Sequence, residues 1–221
     1  TFRISYEGVI QEREQDIGGD PLVGFTTTGA IVSFIDSTGN GIPGTAIEYY
    51  SGGWNTFGTT GIDGNATKEL LPKSYTFRIS YDDVMQEREQ DIGVDPVVRY
   101  RTSLATVRFL ASDDSGISGG IAEYDTGGWK SFGTTGVDGD TTRELLPLAY
   151  TFRLTYGSGT SEEQVQDIGA DPVVVFRAGP VVIRLIDSGG AGLPGGIVRY
   201  KDSGWEDFGT TGADGYVTAD L

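Results

Sequence analysis

The chain has 221 residues, a formal net charge of −16, 35 glycines, and neither cysteine nor histidine. So acidic a surface repels nucleic acid and anionic lipid, excluding both as expected partners, and its ordinary consequence is solubility. Without cysteine there are no disulfides or thiolate metal sites, and without histidine the usual serine-triad and zinc-hydrolase chemistries are excluded. No run of about 18 apolar residues is present, so no membrane insertion is expected. The chain opens at Thr1 without an initiator methionine or a signal peptide, which reads as a processed chain or a fragment.

Residues 1–6 (TFRISY) return at 76–81 and, slightly varied, at 151–156. Trp54, Trp129 and Trp205 keep the same spacing of about 75 residues, so the chain is an array of three near-copies. What recurs is turn chemistry, strand patterning and aromatics rather than a set of reactive side chains, which reads as no enzyme. The expected cofactor set is none.

In chain order, the most complete copy opens at residues 31–35 (IVSFI), matched at 106–110 and 182–186. Its second and fourth positions are always large and apolar, a period of two that predicts a strand with one buried face. A Gly-rich turn over 36–44 leads to 46–50, where Ile47 and Tyr49 are expected inward and Glu48 outward. Gly52 and Gly53 break the chain before a strand from Trp54. Gly64 then ends a tight Asp-Gly hairpin turn, repeated at Gly139 and Gly215. Residues 75–81 carry the clearest alternation, with Phe77, Ile79 and Tyr81 inward. Residues 86–91 are polar on both faces and fit a coil or, better, an edge strand protected by its charges; a cation-binding acidic cluster is the lesser reading. Residues 96–100 close the copy with Val98 and Tyr100 inward. No segment has a 3.6 period, and seven short strands per copy read as a small antiparallel β-sandwich.

The run 36–44 (DSTGNGIPG), then 58–64 (GTTGIDG) and 70–77 (LLPKSYTF), resembles the tandem prealbumin-like (transthyretin-like) modules of bacterial surface proteins, the group that includes Cna B-type and carboxypeptidase-regulatory-like domains. That resemblance covers all three copies and implies an all-β chain of tandem seven-stranded sandwiches, serving as stalks, spacers, adhesins or sugar-binding accessories. It brings no catalytic residues. Many such modules carry an internal Lys–Asn isopeptide bond, but the first strands here hold Ser33, Arg108 and Arg184, so none is expected.

Two constellations are candidate sites. Trp54, Trp129 and Trp205 stand three residues before Phe57, Phe132 and Phe208, so in a regular strand one ring faces the core and the other is exposed, unless a bulge turns the Trp inward. The aromatics either pack in the core or between modules, or stack on a sugar ring as a ligand platform. Asp36, Asp63, Asp138 and Asp214 are calcium candidates, but the turns lack EF-hand spacing and Asx-turn roles explain them more simply. No metal is expected. Asn65-Ala66-Thr67 fits an N-linked glycan acceptor.

Aligning the copies puts boundaries near Gly29, Ser103 and Gly179. Residues 1–28 are then the C-terminal half of a sandwich, 29–102 and 103–178 complete sandwiches, and 179–221 an N-terminal half. Half-sandwiches leave apolar faces and strand edges open. Neighbouring repeats of a longer chain, the head of another subunit, or the chain's own ends closing a ring would complete them, the ring being the awkward option. The expectation is a structural repeat protein at the extracellular cell surface, part of a filament, stalk or adhesin shaft, self-associating head-to-tail. The alternative is a multivalent carbohydrate-binding module that uses the Trp platforms on glycans.

Overall fold

The structure, a computed structural model, describes residues 1–157, 159–161, 163–201 and 204–221. Glu162, in the polar run of the third copy, lies outside the described residues. The described chain is all β-strand and turn, and it divides into two compact units, Thr1–Ser103 with Glu144–Pro147, and Leu104–Arg143 with Leu148–Leu221.

The first unit begins with a hairpin of β1 (Phe2–Tyr6) and β2 (Val9–Arg13). Its two-residue turn holds Glu7 and Gly8 at positive φ, the backbone twist that a tight hairpin requires. Seven strands follow: β3 (Thr28–Ile35), β4 (Ala46–Tyr50), β5 (Trp54–Thr59), β6 (Asn65–Leu70), β7 (Ser74–Tyr81), β8 (Val84–Asp91) and β9 (Val97–Arg101). They form a three-stranded sheet, β6-β3-β9, and a four-stranded sheet, β5-β4-β7-β8. The alternating residues Val32, Phe34, Ile47, Tyr49, Phe77 and Ile79 are all fully buried between the sheets. Burying each such side chain stabilises the fold by about 1.5–3 kcal/mol. Edge-to-face contacts link the rings of Tyr49, Phe57, Tyr75 and Phe77, which centres the core on aromatics.

One pairing departs from the antiparallel expectation. β9 runs parallel to β3, with Val98 opposite Val32 and Tyr100 opposite Phe34. The physical reason is the crossover after β8. The chain bends at Asp91, whose carboxylate accepts from Gly93 N, and again at Asp95, which accepts from Val97 N. It thereby leaves one sheet and joins the other alongside β3. The polar β8 lies at a sheet edge.

The same plan repeats with β10 (Ser103–Leu110), β11 (Ile121–Asp125), β12 (Trp129–Thr134), β13 (Asp140–Leu145), β14 (Ala149–Tyr156), β15 (Gly159–Thr160), β16 (Gln164–Asp167) and β17 (Val173–Arg177), which lie mostly in the second unit. The interruption between β15 and β16 falls where the third copy gains a residue. β10 and β17 are again parallel. Among the described residues the last strands, β18 (Pro180–Arg184), β19 (Ile197–Lys201), β20 (Trp205–Thr210) and β21 (Tyr216–Asp220), pair as β18-β21 and β19-β20. Leu185, whose counterpart Phe34 is fully buried, is 41% exposed, and Ile197 is 77% exposed.

Two devices recur in every copy. The first is a backbone crossing: a Cβ on Gly41 would lie 2.1 Å from the Asp63 carbonyl carbon, and one on Gly64 would lie 2.2 Å from Phe34 O. Gly116 with Gly139, and Gly192 with Gly215, reproduce it. The second is a threonine bridge. Thr60 Oγ1 donates to Ile42 O at 2.7 Å and accepts from Thr45 N at 2.9 Å. Thr135 and Thr211 do the same, and all three are buried. Each hydroxyl thus satisfies a carbonyl and an amide at once.

Candidate interaction surface

The tryptophan and phenylalanine of each copy separate as the three-residue spacing requires. Phe57, Phe132 and Phe208 are buried, while Trp54 and Trp129 are half-buried on the outer face and Trp205 is 67% exposed. On that face Trp54 lies under the Arg78 guanidinium, whose carbon is 3.9 Å from the ring centroid, and Arg78 Nε donates to Glu48 Oε2 at 2.6 Å. Tyr50 meets Trp54 edge-on. The second copy repeats the stack, with Arg153 4.1 Å from Trp129 and bonded to Glu123 at 2.7 Å. These two indoles are therefore covered by protein cations rather than open to a ligand.

The third copy changes the pattern. Glu48 and Glu123 become Arg199, and Thr56 and Ser131 become Asp207. Arg199 Nε donates to Asp207 Oδ1 at 2.7 Å, closing an ion pair within the β19-β20 hairpin. At the other end Arg3, the counterpart of Arg78, pairs with Glu12 on its own hairpin.

The four aspartates are engaged in local turns. Asp36 Oδ1 accepts from Thr38 N, Thr38 Oγ1 and Asn40 N, and Asn40 Nδ2 donates to Oδ2. Those donors, the Thr38 hydroxyl foremost, hold its carboxyl down from an ordinary 3.8 to about 2. Asp63 accepts from Asn65 N and Nδ2, which lowers its pKa as well. Asp138 and Asp214 accept from Asp140 N and Tyr216 N. Among the described residues no three metal-ligating side chains gather. The aspartates take the Asx-turn roles expected of them, whereas the arginine partners of the tryptophans were not expected. Arg78 and Arg153 belong to the repeated Phe-Arg dipeptide, a signal available in the repeat, yet only the strand pairing brings them over the indoles.

A groove beside β8 and β9 gathers Arg88, Arg99 and Arg101 on an otherwise acidic chain. Each guanidinium has a protein acceptor: Arg88 donates to Arg99 O, Arg99 to Asp95 and Arg101 to Ser37 O.

The β1-β2 hairpin is seated against the sandwich that follows it. Tyr49 Oη donates to the Glu7 carbonyl at 3.1 Å, and Lys68 Nζ lies 3.0 Å from Glu7 Oε2. The Lys68 bond draws the Glu7 pKa down, while burial, followed by the Glu7 charge, pushes Tyr49 up to about 12. A carboxylate fills a comparable role at Glu144, which accepts from Ser37 N at 3.3 Å and from the Thr102 hydroxyl. Asp220 accepts likewise from Ser112 N at 3.2 Å.

No family model and no curated protein sequence matches the chain. Among solved structures it is similar to the Bacillus anthracis TIE protein, at 15% identity and a TM-score of 0.27, covering 89% of this chain and 43% of that one. A streptococcal ancillary pilin is similar at 13% identity and a TM-score of 0.28, with 69% and 62% covered. BcpA, the major pilin subunit of Bacillus cereus, is similar at 11% identity and a TM-score of 0.26, with 88% and 85% covered. The chain spans less than two thirds of the first two. Identities and TM-scores this low leave any functional reading to rest on the chain's own residues.

Proposed function

We propose that this chain is a structural repeat protein, a length of the shaft of an extracellular filament, stalk or adhesin. Its complete sandwiches span 29–102 and 103–178, and the half-sandwiches 1–28 and 179–221 are completed head-to-tail across chain ends or by neighbouring repeats. One observation carries this reading: what returns in every copy is packing chemistry. The glycine crossing and the threonine bridge recur in all three, whereas among the described residues no constellation of ligating groups recurs. The turn motifs that resemble those of bacterial surface modules support a cell-surface location. No reaction and no cofactor belong to this reading.

The exposure of Trp205 favours a second reading, carbohydrate binding through an indole that lacks its arginine cover. Stretching single chains while titrating glycans separates the two. A shaft gives two discrete unfolding events, each releasing the chain of one sandwich, about 250 Å at roughly 3.3–3.6 Å per residue. It also gives no sugar-dependent change in tryptophan fluorescence. Gradual extension without discrete events, together with saturable quenching by a glycan, would reverse the choice.

A further inference from the structure

We propose that residues 1–27 of a second copy of this chain occupy the open edges of β18 and β19, in a register dictated by the two internal sandwiches. This rests on the structural reading above and names its partner surface. In the first sandwich Glu48, Tyr49 and Tyr50 face Arg78, Phe77 and Thr76. In the second, Glu123, Tyr124 and Asp125 face Arg153, Phe152 and Thr151. Carried one period on, Arg199, Tyr200 and Lys201 face the partner's Arg3, Phe2 and Thr1. In the other sheet the parallel pairs Phe34 with Tyr100 and Phe109 with Phe176 become Leu185 with the partner's Phe25. Leu185, exposed where its counterpart Phe34 is fully buried, thereby receives the apolar neighbour that its counterpart already has.

The head segment is already bent for this role. Gln15 Nε2 donates to Asp20 O at 3.0 Å, as Gln90 does to Asp95 O and Gln166 to Asp171 O. Arg13 reaches Gly24 O, as Arg88 reaches Arg99 O and Gln164 reaches Val175 O. Asp20 accepts from Leu22 N in the manner of Asp95 and Asp171. The crossover that carries a chain from one sheet to the other therefore stands formed at residues 13–24, although no strand pairs with residues 21–27. Preorganisation of this kind reduces the ordering entropy of docking. The strand ends agree: Thr102 N donates to Ile35 O and Ala178 N to Leu110 O, so the partner's Thr27 N meets Ile186 O.

The joint carries one mismatch. Where the internal sandwiches set Glu against Arg, Arg199 meets the partner's Arg3, and like charges directly opposite one another weaken a strand pair. Each arginine keeps its own carboxylate, Asp207 or Glu12, so the row remains neutral while the joint is looser than those within the chain. The partner's Arg3 covers Trp205 as Arg78 covers Trp54.

The chain has no cysteine, so engineered pairs report cleanly. Full-length T1C is mixed with full-length K201C under mild oxidation, and with R199C as an off-register control; all three positions are exposed. Directly opposed positions suit disulfide geometry. The expected result is a heterodimer from T1C with K201C, and little from T1C with R199C. Adding Arg199→Glu and Asp207→Thr to K201C restores the internal charge row and tightens association by about fivefold. Equal cross-linking in both mixtures, no cross-link with K201C, or weaker association after the charge swap overturns the proposal. The shaft reading is judged separately, by the unfolding events of the internal sandwiches.

Discussion

At the scale of single residues, the copies are held by polar groups as much as by the apolar core. Thr60 is the clearest case, because its hydroxyl serves one half-buried carbonyl and one buried amide at once. Replacing it by valine preserves shape but strands both groups, and a stranded buried polar group costs about 1–3 kcal/mol. Thr60→Val is expected to lower the unfolding free energy by that amount in urea melts, with an unchanged slope. A variant as stable as the parent would mean that water reaches these groups. The bridge was invisible in the sequence, where Thr60 reads as one more turn residue. The aromatic positions were legible as a spacing, and Phe57 and Trp54 do lie on opposite faces. The arginine over the indole was not, since it comes from a strand more than twenty residues away and only pairing joins them.

At the scale of elements, alternation identified strand after strand because a two-residue period leaves little ambiguity where one face is fully buried. It tells which side chains point inward and says nothing about which strand lies alongside. For that reason the parallel β3-β9 pair escaped an otherwise correct antiparallel reading. The turns were legible through Asp-Gly, but the deeper role of glycine was not. Gly41 and Gly64 lie back to back, and neither leaves space for a side chain. Gly41→Ala must push apart the loop after β3 and the β5-β6 turn, and overpacking of this kind costs about 1–3 kcal/mol. Thermal unfolding is expected to lower Tm for Gly41→Ala, while Gly53→Ala, in open space, leaves it nearly unchanged. Similar melting of the two would refute the backbone crossing as a stabilising contact.

At the scale of the whole molecule, the period of about 75 residues was the first thing legible, and it led to the expectation of incomplete sandwiches at both ends. The exposure of Leu185 at one end, and the crossover at residues 13–24 at the other, are the observations on which the proposed completion of those ends rests. The charge change of the third copy was harder to read, because Arg199 closes its ion pair with Asp207 only across the β19-β20 pairing. The central claim is that these copies are joined end to end into a shaft. Negative-stain microscopy of the intact chain across a concentration series tests it most directly. The account predicts unbranched rods one sandwich wide that lengthen as concentration rises; folded single chains of constant size at every concentration would contradict it.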